Sequence, residues 1–153
     1  MAVADADIYQ NTRASIFAFC KKTIEDLNMT NDFQMFDFDA HATIEELPPK
    51  HLIGVAEFAM QNDDRLYSAT CLIAVCTLST DKDIEILRTV ISRLFTSLVP
   101  GKTVSRISST TGSQVGQLTV KGNVETMPVT GTKGRPLMAV AVEFGTNFVA
   151  PPV

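Results

Sequence analysis

A chain of 153 residues, 45% hydrophobic and 20% charged, has the length and composition of one globular domain that buries roughly 68–70% of its unfolded surface without staples. Its 13 Lys and Arg are scattered among 17 Asp and Glu, for a net charge of -4 and a pI near 5.1, so the basic stripe that duplex binding requires is missing. Residues 1–153 are expected to form a single domain, with a short flexible C-terminal tail over 146–153.

From about Asp7 to Leu27, Ile8, Ile16, Phe19, Cys20, Ile24 and Leu27 fall on one side and Arg13, Lys21, Lys22, Glu25 and Asp26 between them, which predicts an amphipathic helix capped by Asp5 or Asp7. Asn28 and Thr30-Asn31-Asp32 break it. Phe36 and Phe38 then alternate with Asp37 and Asp39 as in a half-exposed strand, up to Pro48-Pro49. Leu52–Met60 and Leu66–Leu78 are two strand-like runs joined by Asn62-Asp63-Asp64, a β-hairpin. The second run is apolar on both faces, with Ala69, Cys71, Ile73 and Val75 opposite Leu72, Ala74, Cys76 and Leu78, the pattern of a central strand covered on both sides.

Thr80-x-x-Asp83 resembles a capping box opening a second helix, whose apolar positions Ile84, Leu87, Ile91, Leu94 and Leu98 leave Arg88 and Arg93 outside the seam. Pro100-Gly101 stops it. Thr103–Ile107 leads to a polar run from Ser108 to Ser113. A further hairpin is expected from Gln117–Lys121 and Val124–Val129 about Gly122-Asn123, followed by a loosened Gly131–Gly134 segment, the closing strand Leu137–Phe144 and a Pro-containing tail. Strands grouped around two helices predict an α+β fold, an antiparallel or mixed β-sheet with two helices packed on one face.

The three cysteines, Cys20, Cys71 and Cys76, lie in apolar segments without a C-x-x-C pair and are expected to be buried thiols of a reducing compartment. The acidic start MAVADADIYQ has no basic region followed by an apolar core, and no apolar run nears the roughly 18 residues that span a bilayer. A soluble, cytosolic product is the expectation.

Gly101-Lys102-Thr103 matches the end of a phosphate-binding loop, yet Thr96 stands where its first glycine belongs, and the motif follows a helix instead of opening one. Asp37, Asp39 and His41 would share one face of an extended segment and could hold a divalent metal; a solvated strand face gives the same letters. With only His41 and His51 as imidazoles and no G-x-S-x-G, a catalytic nucleophile has no signature here. The Gly/Ser/Thr-rich loops are then better taken as contacts with a partner than as ligand cradles.

The helix DIYQNTRASIFAFCKKTIEDL, the strand RLYSATCLIAVCTL, the helix DKDIEILRTVISRLFTSL and the final strand PLMAVAVEFG follow one another in a layout that resembles phage tail terminator (tail-completion) proteins. The resemblance implies a virion structural protein, not an enzyme, made in the host cytoplasm and built into the virion tail. It implies a homo-oligomeric ring, hexameric in that family, that caps the tail tube, ends its polymerisation and offers a surface to a head-completion or neck protein. DNA would pass through the lumen without specific binding, and no cofactor, catalytic residue, metal or membrane contact is implied. Candidate assembly contacts are Asn62, Asp63 and Asp64; Ser109, Thr110, Thr111, Gly112 and Ser113; Gly131, Thr132, Lys133, Gly134 and Arg135; and Phe148, Val149, Pro151, Pro152 and Val153. A small metal-dependent enzyme using Asp37, Asp39 and His41, or a cytosolic ligand-binding module, is the alternative.

Overall fold

The computed structural model describes residues 7–40, 47–63, 66–79, 82–132 and 135–146. The elements, in chain order, are α1 (Ile8–Asp26), β1 (Phe33–Asp37), β2 (His51–Asp63), β3 (Leu66–Cys76), α2 (Ile84–Ser97), β4 (Thr103–Ile107), β5 (Gln114–Thr132) and β6 (Arg135–Thr146). The strands form one sheet in the order β1-β2-β3-β6-β5-β4. β1 runs parallel to β2, and every other neighbouring pair is antiparallel. This is the expected α+β architecture with a mixed sheet.

Helix α1 buries a stripe at three- and four-residue spacing, Ile8, Asn11, Thr12, Ser15, Ile16, Cys20, Thr23 and Ile24. Half of that stripe is polar, and most of those groups are satisfied. Ser15 donates its hydroxyl to the Asn11 carbonyl, and Thr23 donates to the Phe19 carbonyl. The helix ends in a Schellman arrangement. Asn28 takes a φ of 57°, its N–H bonds the Glu25 carbonyl, and the Met29 N–H bonds the Ile24 carbonyl. Asparagine tolerates that left-handed conformation better than most side chains.

Helix α2 begins at Ile84, after Asp83, and not at the Thr80 cap expected; Thr80 lies outside the described residues. Asp83 instead accepts bonds from the Ser79 N–H and hydroxyl. The helix buries Leu87, Val90, Ile91 and Leu94 and leaves Arg88 and Arg93 exposed. Past its end, the Gly101 N–H bonds the Val120 carbonyl and the Val120 N–H bonds the Lys102 carbonyl. Gly101-Lys102-Thr103 therefore fastens a helix exit to β5, the reverse of a phosphate loop.

The second expected hairpin is overturned. Gly122 and Asn123 do not reverse the chain; β5 runs on through them with a register break between Lys121 and Glu125. Gly122 has φ +63°, so it supplies the left-handed residue of a bulge. The reversal falls between Thr132 and Arg135, which pair. Two-sided burial of β3 holds in part: Ala74 and Cys76 are buried, but Leu72 is half-buried and Leu78 lies beyond the strand, exposed.

Both helices pack on the sheet face carrying Ile53, Val55, Cys71, Ile73, Val75, Leu118, Val120, Val140, Val142 and Phe144, against Ile16, Cys20 and Ile24 of α1 and Leu87, Val90, Ile91 and Leu94 of α2. On the opposite face a smaller cluster gathers Phe36, Leu52 and Cys76 with Phe38, Leu47 and Leu137. At Gly54 the β1 backbone comes so close that a Cβ would lie 1.7 Å from the Phe36 carbonyl oxygen.

Candidate assembly surface

Alternation along the strands decides what the second face of the sheet carries. Ala56, Leu72, Ala141 and Glu125 lie in one cross-strand row, and Thr70, Glu143 and Lys121 in the next. The small apolar cluster covers only the Cys76 end of this face. At the other end lies an open depression of about 370 Å³, lined by Glu57, Thr70, Leu72, Asn123, Glu125, Ala141 and Glu143 among others. Its floor is apolar and its rim carries carboxylates. Nothing among the described residues covers it.

Glu57 reaches this rim because β2 bulges between Ala56 and Ala59, placing Glu57 at φ 51°. Asp39 holds that bulge: its two carboxylate oxygens accept from the Glu57 and Phe58 N–H groups at 2.7 and 3.2 Å. Asp37 is engaged separately. It pairs with Arg13 and accepts from the Asp39 and Ala40 N–H groups. Burial pushes its carboxyl upward, but the bonds from Ala40, Arg13 and Asp39 together outweigh it and hold the pKa below the ordinary carboxylate value. The strand ends at Asp37, so Asp39 is not on the one-sided strand face that the metal reading required. His41 lies outside the described residues, and among the described residues no group of three or more potential ligands gathers.

The candidate contact segments fall at two ends of the sheet. Asn62 is exposed where β2 nears its turn, and Asp63 pairs with Leu66 at the end of the hairpin. Ser109, Thr110, Thr111, Gly112 and Ser113 form an exposed loop between β4 and β5 at that same end, as does the exit of β6, where the Thr146 hydroxyl meets the Tyr67 carbonyl. The polar loop is built, with Ser108 and Ser113 joined through the Ser108 N–H and Gly112 turned back to the Ser108 carbonyl. It is also anchored to α1, since the Ser109 N–H donates to Asn11 Oδ1 and the Ile107 N–H to Ser15 Oγ.

Gly131 and Thr132 close β5 at the opposite end. Arg135, expected as a surface contact, is buried instead. Its guanidinium donates to the carbonyls of Thr77, Pro48 and Lys50, knitting three segments together. Asp64, Lys133, Gly134, Phe148, Val149, Pro151, Pro152 and Val153 lie outside the described residues.

All three cysteines are buried and unpaired. Burial, with a small contribution from Asp39, pushes the Cys71 thiol up to about 12. Burial, then the nearness of Cys71, raises Cys20; burial also raises Cys76, against the lowering effect of Arg135. None is poised as a thiolate. No helix among the described residues is long and apolar enough to cross a membrane.

The two-sided apolar pattern of β3 predicts a strand covered on both faces and so hides the uncovered one. Its signal was present as Glu125 and Glu143, acids inside otherwise strand-like runs.

By fold, the chain is a two-layer α+β protein built on a mixed six-stranded sheet. No family model matches it, and no curated protein does. Among solved structures, a protein known by a serial designation alone is a distant likeness: 14% identity and a TM-score of 0.44 over 94% of this chain and 97% of the other.

Proposed function

We propose that this chain is a structural subunit of the phage tail terminator type, which closes into a ring, caps a tail tube and offers its free side to a head-completion or neck protein. The observation that supports this is the sheet face left half uncovered. A floor of Leu72 and Ala141 beside exposed Met127 belongs to a surface that another protein closes. The grouping of Asn62 and Asp63, the 109–113 loop and the exit of β6 at one end would provide an axial surface to meet a tube or neck. In this reading the protein performs no catalysis and binds no cofactor.

The metal-dependent alternative loses its footing, because Asp37 and Asp39 spend their oxygens on Arg13 and on backbone N–H groups. Light scattering over a concentration series, with negative-stain images of any large species, tests the reading. A closed ring, hexameric by the resemblance, is expected. A protein that stays monomeric throughout the series would count against it.

A further inference from the structure

We propose that the uncovered sheet face of one copy is filled by the outer face of α2 from a second copy, with Arg88 and Arg93 set against Glu57, Glu125 and Glu143. This rests on the ring reading above and names the contact that would build the ring.

Three features lead to it. The sheet face carries Glu57, Glu125 and Glu143 against Lys121, so its occupant must be cationic, and a nucleic acid is repelled. The floor between those acids is made of Leu72, Thr70 and Ala141, small or flat enough for a helix to approach closely. On the far layer of the same molecule, the outer side of α2 presents Arg88, Thr89, Ser92, Arg93 and Thr96 around an open hollow of about 390 Å³. Among the described residues Arg88 pairs with Glu85 one turn away, in an exposed contact at 3.1 Å that contributes little. Arg93 has no ion-pair partner among the described residues.

The two surfaces lie on opposite layers, since α2 packs on the Ile73 and Val140 face and the carboxylates rim the other. A contact between unlike surfaces on opposite sides is heterologous, and repeated with the right rotation it closes into a ring. Direct strand pairing along the part of β5 past Val120, which β4 does not cover, is a poorer route. The bulge at 121–125 and Pro128 interrupt that edge, both familiar guards against edge-to-edge association.

The test uses two reversed variants of the full chain: Arg88→Glu with Arg93→Glu, and Glu125→Arg with Glu143→Arg. All four positions are at least partly solvent-exposed, so folding is checked by circular dichroism and association by light scattering. Each variant alone should raise the concentration needed for half-assembly by about tenfold or more. Mixed in equal amounts, they should assemble again, because acidic helices meet basic faces and unchanged helices meet unchanged faces in alternation. Rings that persist in both variants, or loss that mixing does not rescue, would overturn the contact while leaving the ring reading intact. A wild-type chain monomeric at every concentration would overturn both.

Discussion

Asp39 shows how one side chain can look catalytic in sequence and prove architectural in space. Its carboxylate replaces the ladder partners that the β2 bulge takes from Glu57 and Phe58, and an Asp39→Ala change leaves those two exposed N–H groups to water. We expect a loss of about 1–3 kcal/mol in urea unfolding, with no change in response to divalent metal. Asp37 adds a pH dependence of known sign. Its folded pKa lies below the unfolded value, so its stabilisation is present above about pH 4, the ordinary Asp value, and is lost as pH falls through the lower folded value. Asp37→Asn should therefore flatten the acid side of the stability curve, measured by thermal melts between neutral and strongly acid pH. At the buried extreme, Arg135→Ala removes a cation bonded to three carbonyls, and about 3 kcal/mol should disappear from the unfolding free energy.

Elements differ in how plainly the sequence announces them. The buried seam of helix α2 was legible because its apolar spacing is regular, although the helix starts at Ile84, past the expected Thr80 cap. Helix α1 was equally placed, though nothing local announces Asn11 and Ser15 in its buried stripe: they meet the 107–109 backbone, a contact nearly a hundred residues away. β5 departs from the expected hairpin that Gly122-Asn123, with the chemistry of a tight turn, predicts. A bulge demands the same left-handed glycine, and only pairing with β6 separates the two. The parallel placement of β1 was also illegible, since nothing local distinguishes a strand that will pair with a neighbour after a crossover. Three substitutions test these elements. Ile73→Asp in β3 and Leu87→Asp in α2 each place an unpaired charge where the present side chain is at most 1% exposed, and neither variant should give soluble folded protein. Gly54→Ala drives a methyl into the Phe36 carbonyl and should detach β1 from β2, seen as loss of amide exchange protection over 33–37.

For the molecule as a whole, two layers of helix and sheet account for one face of the β-sheet and half of the other. The uncovered remainder governs what the protein can do with copies of itself. If charge complementarity drives that contact, assembly should weaken as salt rises through the range in which the Debye length falls from about 10 Å toward 3 Å. Light scattering at fixed protein concentration checks this; association that tightens with salt would point to an apolar contact instead. The acids of the uncovered face were readable as letters, but their convergence depends on a bulge in β2 and a register in β6, neither of which a linear pattern encodes.

The burial of the cysteines gives the protein a clock for its own openings. Cys20 and Cys71 sit between helices and sheet, while Cys76 lies under the separate Phe36 and Leu52 cluster. A thiol reagent can capture each one only when its cover lifts, so the order of capture dates two different events. Labelling of Cys76 ahead of the other two would mean that the β1 side loosens while the helix layer stays shut; simultaneous labelling would mean that the domain opens as one cooperative unit.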